Sequence, residues 1–377
     1  MEHNMPPWIE TVIPRHVFSI PPYVPGKPVE ELQRELGVHE ATKMASNENP
    51  LGPSVLAVKA IEQHAQSVHI YPESSAPELR EAIAERNGIS PDSVILGNGS
   101  DEIMALVAHV FMGPGQNAVM GANCFSMYRI VTEAFGGEAR RISLTEDYRF
   151  DLPAMSRAIS DRTRLVFLAI PNSPTGTIVS RDELERFLGG LAGRKMILVI
   201  DEAYREYVVD SDCPNGLEYL NSDLPILVLR TFSKVYGLAG LRVGYGMARP
   251  WLIDLLNRVR PPFNVNSMAQ KAAMAALNDT EHVQRSVRMT REGIEFLTTR
   301  MEAIGLRVIH SQANFVTFCL TGNARPVYEG LLRYGVIVRH LASFGMERCI
   351  RVTVGTEPQN LRFLKALRAV IEEVGED

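Results

Sequence analysis

Residues Leu165 to Tyr204 read LVFLAIPNSPTGTIVSRDELERFLGGLAGRKMILVIDEAY. Leu165–Ile170 is a short unbroken apolar run closed by a turn-forming Pro171-Asn-Ser-Pro-Thr-Gly176, the pattern of a strand buried on both faces. Ser180-Arg-Asp-Glu183 is a capping box, which opens a helix that ends at Gly189-Gly190. Ile197–Ile200 is a second buried run, and it terminates in Asp201. Strand, helix and strand in this order predict an α/β chain with a largely parallel sheet. The same type of run recurs at Val94–Leu96, Asn117–Met120, Ile226–Leu229 and Val243–Met247, with helical patterns between most of them. Leu79 and Ile83 share one face of a helix expected to open with a capping box at Ser75-Ala-Pro-Glu78 and to close at Gly88. A third box, Thr356-Glu-Pro-Gln359, opens a helix running towards the C-terminus.

Outside this middle region the pattern changes. Residues up to about 45 are rich in proline (Pro6, Pro7, Pro14, Pro21, Pro22, Pro25, Pro28) and read as an extended arm. From Ser267 the helices lengthen and are followed by strands near Asn314–Cys319, Val336–Arg339 and Cys349–Val354, which predicts a second, smaller α+β domain. The length, 377 residues, accommodates two domains. With 39 Lys+Arg against 44 Asp+Glu, the net charge of −5 leaves no electrostatic footprint for nucleic acid. Arg285, Arg288 and Arg291 read as a solvated helix face. Cys124, Cys213, Cys319 and Cys349 are scattered with no CxxC pair, so reduced thiols in a cytosolic compartment are expected and a zinc or other metal site is not. The opening MEHNMPPWIE has neither a basic n-region nor an apolar stretch, and no run of about 18 apolar residues occurs, so neither a leader nor a membrane span is expected.

Absent motifs narrow the chemistry. There is no Walker A string, no H-E-x-x-H, no S-x-x-K and no G-x-S-x-G. Gly97-Asn-Gly99 lacks the third glycine of a dinucleotide fingerprint. Four polar strings remain, each after a predicted strand, where open α/β sheets place their ligands. Leu96-Gly-Asn-Gly-Ser-Asp-Glu102 couples a tight turn to a helix start, which offers free N–H groups to a phosphate; taken alone, Ser100 reads more readily as a helix cap. Ile170-Pro-Asn-Ser-Pro-Thr-Gly176 is a rigid turn. Val199-Ile-Asp-Glu-Ala-Tyr204 leaves an Asp at the end of an apolar strand, an expensive position unless a cation or a helix start uses it. Leu229-Arg-Thr-Phe-Ser-Lys-Val-Tyr-Gly-Leu-Ala-Gly-Leu-Arg242 sets a lysine beside a serine and an arginine after a buried strand.

A phosphate seat, a buried carboxylate, a buried amine and a Ser/Arg pair together fit pyridoxal phosphate. At these residues the sequence resembles the fold-type I pyridoxal-phosphate aminotransferases, and within them the histidinol-phosphate aminotransferase group. The resemblance spans nearly the whole chain, from Pro22-Tyr-Val-Pro-Gly-Lys27 and Ser46-Asn-Glu-Asn-Pro-Leu-Gly-Pro53 to Ile350-Arg-Val-Thr-Val-Gly355. NSPTG, DEAY and TFSK in this order are its most specific part. It implies an N-terminal arm (1–45) joined to the small domain, a large cofactor-binding domain (46–266) and a small C-terminal domain (267–377).

The resemblance also implies roles. Lys234 would hold the cofactor and, once released, shuttle the α-proton; an amine desolvated near other cations becomes a base near neutral pH. Asp201 would face the pyridine nitrogen, and Tyr204 would donate to the phenolic oxygen. Ser100, Asp101, Ser233 and Arg242 match the phosphate contacts. Tyr71 matches a tyrosine that reaches the phosphate of a neighbouring subunit, which implies a homodimer. Ser173, preceded by Asn172, stands where the family usually has Asn, and Phe125 stands where a Tyr usually stacks on the ring. Arg351 and Arg339 match two anion-gripping arginines, and Tyr23 and Asn47 match arm residues that close over the substrate. The expected reaction is transfer of an amino group between glutamate/2-oxoglutarate and histidinol phosphate/imidazole-acetol phosphate. An aromatic amino-acid aminotransferase and a decarboxylase of the threonine-phosphate type remain as alternatives. A non-enzymatic regulator on the same fold fits less well, because the arm is too short for a DNA-binding domain.

Overall fold

The computed structural model describes residues 6, 8–37 and 40–375. Met1–Met5, which carry the leader reading, and Pro7 of the arm lie outside the described residues. Eight strands belong to the first two-thirds of the chain: β1 (Thr42–Lys43), β2 (Val94–Gly97), β3 (Asn117–Gly121), β4 (Glu138–Ile142), β5 (Thr163–Ala169), β6 (Ile197–Asp201), β7 (Ile226–Thr231) and β8 (Gly244–Ala248). All but β1 form one sheet in the order β2-β8-β7-β6-β5-β3-β4. β8 runs antiparallel to both β2 and β7, and the other pairings are parallel. Every residue of β2, β3, β6, β7 and β8 is buried. That is why their sequences are near-continuous apolar runs. β4 is the strand the runs did not reveal. Its sequence Glu-Ala-Arg-Arg-Ile is polar and half exposed at the sheet's edge, so it carries no burial signature.

Local signals account for most helix boundaries. Ser180 Oγ accepts from Glu183 N (3.2 Å), and Glu183 Oε2 accepts from Ser180 N (2.7 Å), so the predicted box caps helix Arg181–Gly190. In the third box Gln359 Oε1 accepts from Thr356 N at 2.8 Å, at the start of helix Glu357–Gly375. The first box does not form. Helix Pro77–Asn87 begins after Ala76, which has a positive φ and no side-chain cap, while Ser75 Oγ donates to Glu73 and Glu78 pairs with Lys271. Proline at the first helical position makes a side-chain cap dispensable there. Leu79 and Ile83 are buried and Gly88 closes the helix, as expected. Arg285, Arg288 and Arg291 are exposed.

The remaining strands are β9 (Arg307–Ile309), β10 (Phe315–Cys319), β11 (Val336–Ile337), β12 (Arg339–His340) and β13 (Cys349–Thr353). They form an antiparallel sheet in the order β12-β13-β10-β9, while β1 of the arm pairs in parallel with β11. A second apolar core lies here and includes Met44 of the arm. Helix Ser267–Leu277 nevertheless buries Ala269, Ala272, Ala273 and Ala276 in the main core. Helix Thr280–Glu302 packs Val283 and Val287 on the main core and Leu297 and Met301 in the second. This 23-residue helix thus contributes side chains to both cores.

The cysteine expectation needs one correction. Cys319 and Cys349 are register partners on the antiparallel β10–β13 pair and are joined by a disulfide, whereas Cys124 and Cys213 are free and buried. Residues 30 apart in sequence become direct neighbours through strand pairing, which cysteine spacing cannot reveal. Thiol titration of the denatured, unreduced protein should therefore find the thiols of Cys124 and Cys213 alone, with Cys319 and Cys349 reacting only after reduction. Reaction of all four without reductant contradicts the pairing.

Candidate active site

Parallel topology brings the carboxyl ends of β2, β3, β5, β6 and β7 to one rim. The segments leaving this rim line a cleft that is open to solvent. Lining residues expected from the sequence are Tyr23, Asn47, Ser100, Asp101, Phe125, Ser173, Asp201, Tyr204, Ser233, Lys234, Arg242, Arg339 and Arg351. Two expected residues are not among them. Asn172 is fully buried behind the rim, and its Nδ2 donates to Asn123 O (3.0 Å) and Thr175 Oγ1 (2.9 Å). Tyr71 is 79% exposed and stacks on Phe263 at 4.7 Å, away from this chain's own cleft.

At one end of the cleft, helix Ser100–Phe111 points its N-terminus inward, with Gly99 at the cap position and Ser100 as the first helical residue. Ser100 therefore does not serve as the cap. Gly99 has a φ of 79°, and a Cβ there would collide with the Arg242 guanidinium, so only glycine lets the helix end and the arginine approach each other. Arg242 NH1 donates to Ser233 Oγ at 3.4 Å, and its NH2 meets Asp101 Oδ2 at 3.3 Å. Free helix N–H groups, two hydroxyls and a guanidinium make an anion seat.

Asp201 ends β6 at 6% exposure. It forms no ion pair among the described residues and accepts from Tyr128 Oη (Oδ2, 2.7 Å) and Ala203 N (Oδ1, 3.0 Å). Burial pushes its carboxyl up to about 6, and the Tyr128 hydrogen bond opposes this. Lys234 Nζ donates to Ser46 O at 3.2 Å and lies 5.6 Å from the centre of the Tyr204 ring. Asn47 Nδ2 donates to Tyr204 Oη (2.8 Å), and Asn47 N donates to Thr353 Oγ1 (2.9 Å). The arm thus joins the end of β13 to the loop after β6. Asn47 adopts φ 59°, a left-handed conformation that Asn tolerates better than most residues.

The opposite wall carries Arg339 and Arg351, 8% and 6% exposed. They are direct register partners on β12 and β13, and neither has a carboxylate partner among the described residues. Arg351 donates to Ala45 O (2.8 Å) and Ser173 Oγ (3.2 Å), while its buried Nε has no partner. Arg339 NH2 donates to Val24 O at 2.6 Å, which seats the arm beside Tyr23. Burial pushes Arg351 down to about 10 and lowers Arg339 as well, so both remain charged at neutral pH. Like charges directly opposite on paired strands repel, and an anion between them relieves the repulsion. Sequence reading gave no role to Ser46, Tyr128, Thr231 or Phe344, all of which line the cleft. Tyr128 had one signal: it lies three residues after Phe125, on the same side of a helix turn.

An anion seat, a buried carboxylate with no cationic partner among the described residues and a lysine in one cleft fit the phosphate, ring nitrogen and aldehyde of pyridoxal phosphate. The fold and site are those of an α/β enzyme built around this cofactor. The chain belongs to the class I and II aminotransferases, whose family pattern matches residues 39–367, and it is a pyridoxal-phosphate-dependent transaminase. It is 46% identical to a histidinol-phosphate aminotransferase of Moorella thermoacetica over 94% of this chain and 92% of that one. Histidinol-phosphate aminotransferase 2 of Pseudomonas fluorescens is 48% identical over 94% and 96%. The crystal structure of the Sinorhizobium meliloti histidinol-phosphate aminotransferase in complex with pyridoxal-5'-phosphate superposes with a TM-score of 0.89 at 25% identity, over 97% of this chain and 98% of that one.

The raised Asp201 value has a thermodynamic consequence in cofactor-free protein. An unfolded Asp titrates near about 3.9, so between about pH 4 and 6 the folded chain holds a proton that the unfolded chain has released. This contribution is present below the unfolded value and is lost as pH rises through about 6. Melting temperatures of wild type and Asp201→Asn should diverge across that window, with the wild type falling relative to the variant. Parallel curves would contradict an uncompensated buried carboxylate.

Proposed function

We propose that the protein transfers an amino group between glutamate/2-oxoglutarate and histidinol phosphate/imidazole-acetol phosphate. One observation carries the substrate class: two buried arginines in direct register, with no acid of the described chain to neutralise them, line the same cleft as the lysine. A phosphate monoester offers the charge and the several oxygens that two guanidiniums can grip. The names of the relatives at 46% and 48% identity point to the same substrate.

Ser100, Ser233 and Arg242 would hold the cofactor's phosphate, with Asp101 orienting Arg242. Phe125 would lie against the ring face, Asp201 would face its nitrogen, and Tyr204 would donate to its phenolic oxygen. When bound, the cofactor supplies the aldehyde carbon for the amine and a ring that accepts the electrons left after deprotonation. Lys234 is the attachment point. Its free Nζ would then move the proton at the donor's α-carbon. Arg351, held by Ala45 O and Ser173 Oγ, and Arg339, held by Val24 O, bind the substrate's anionic group. Tyr23 and Asn47 close the arm over it and exclude water. Ser173 has a shorter reach than the usual Asn, and its hydroxyl is already engaged by Arg351, so its part is to orient that guanidinium.

The same reading takes the protein as a homodimer divided into arm, large domain and small domain, with Tyr71 reaching the neighbouring cleft. Its support is that Tyr71 is exposed beside exposed Ile70, Val68 and Phe263 and contributes nothing to its own cleft.

The test is a donor panel with purified holoenzyme and 2-oxoglutarate. Histidinol phosphate should exceed phenylalanine and tyrosine in kcat/KM, and Arg339→Gln should lower the histidinol-phosphate value about tenfold or more while changing phenylalanine turnover little. Robust phenylalanine turnover with none for histidinol phosphate rejects this substrate. Turnover by Lys234→Ala rejects the lysine's role.

A further inference from the structure

The Tyr128 hydroxyl has no role in the reading above. Tyr128 is fully buried in helix Ser126–Ala134, with its ring stacked on Phe167 of β5 at 4.8 Å and 7°. The Phe125 ring meets it edge-on at 5.8 Å and 88°. Thr132 Oγ1 donates to the Tyr128 carbonyl at 2.7 Å, which fixes the helix turn that carries it. The phenol is thus immobilised from three sides. Its hydroxyl makes one hydrogen bond among the described residues, to Asp201 Oδ2 at 2.7 Å.

A packing residue at this position needs no hydroxyl, and a buried hydroxyl is retained only where it has a partner. Burial pushes the Tyr128 phenol well above its ordinary value, so it stays protonated and is a permanent donor. Asp201 receives one further donor, the Ala203 N–H, and the other ionisable groups acting on it are Asp101, which opposes its charge, and Lys234, which favours it. The Cys124 thiol nearby is pushed up to about 12 by burial and is neutral. Tyr128 is therefore the one side-chain hydrogen-bond donor to this carboxylate among the described residues.

We infer that Tyr128 is a positioning residue for the cofactor's ring nitrogen: its hydroxyl keeps Asp201 ionised and aimed, so that their shared proton resides on the nitrogen rather than on the carboxylate. This rests on the reading that Asp201 faces that nitrogen. No bond is made or broken beyond the position of that one proton. With the donor removed, the carboxylate loses a charge-assisted hydrogen bond and the proton shifts towards oxygen. The same hydroxyl rigidly links Asp201 to the helix that begins beside Phe125, so the groups at the ring's edge and its face move as one unit.

The experiment compares wild type, Tyr128→Phe and Asp201→Asn, each loaded with pyridoxal phosphate labelled with ¹⁵N at the ring nitrogen. In Tyr128→Phe the ¹⁵N resonance should move from the protonated towards the neutral pyridine position, with kcat reduced about tenfold or more and donor KM little changed. In cofactor-free protein carrying ¹³C-labelled aspartate, Asp201 should titrate higher in Tyr128→Phe than in wild type. Fluorotyrosine at position 128, a stronger donor of nearly equal volume, should move both signals in the opposite direction and serves even if the Phe variant folds poorly. Unchanged ¹⁵N and ¹³C signals in Tyr128→Phe, with a shifted ¹⁵N signal in Asp201→Asn, overturn the role of Tyr128 and leave the role of Asp201 standing. An unchanged ¹⁵N signal in Asp201→Asn overturns both.

Discussion

A carboxylate at the end of a strand buried on both faces is the constraint around which this molecule is organised. β6 runs through the centre of the seven-stranded sheet, and Asp201 is its last residue, beside Ala169 and Leu229 in register. A charge in such a position is unfavourable unless something meets it. Among the described residues two neutral donors meet it, and burial pushes the carboxyl up to about 6. The remaining compensation has to come from a cationic ligand. Asp201 is thus a poor contributor to stability alone, and under the proposed function it would anchor a protonated ring nitrogen. Lys234, Tyr204 and the anion seat take their positions from the neighbouring strand ends of the same rim.

The second constraint is the pairing of β12 with β13. It sets Arg339 opposite Arg351 in a sheet whose other buried residues are uncharged. The arm offsets part of that strain: the carbonyls of Val24 and Ala45 each accept from one guanidinium. Carbonyl dipoles solvate a cation without neutralising it, so the pair keeps its attraction for an anion. Asn47 adds the link from Thr353 to Tyr204, so the arm spans both walls of the cleft and its placement is coupled to theirs.

Much of this was legible in the sequence, for identifiable reasons. Double-sided burial makes the inner strands continuous apolar runs, so β2, β3 and β5 to β8 could be read directly, with the polar string after each marking the rim. β4 escaped because an edge strand has no such run. The Ser180 box was readable because both of its partners are local, whereas the Ser75 box had the same letters but lost to a proline-led start. Pairings across the chain left no local trace. The Cys319–Cys349 bond, the Arg339–Arg351 register and the Tyr128–Asp201 hydrogen bond each join residues brought together only by folding. The resemblance named most residues of the cleft but was blind to the residues that act through others. Those depend on distance and burial rather than on a motif.

Net charge illustrates the same difference in scale. A chain of charge −5 repels polyanions as a whole, since their binding depends on many cations spread over a surface. The cleft works by the opposite arrangement. Arg242 at one end and Arg339 with Arg351 at the other are separate cationic points, each held by neutral or single acidic partners. At short range, two or three fixed guanidiniums outweigh a modest surplus of acids spread over the solvent-exposed surface, where salt screens them. Under the proposed function, the two cationic parts of the cleft would take a phosphate-bearing cofactor and a small anionic substrate. An overall charge of −5 is therefore compatible with a cleft lined by three arginines.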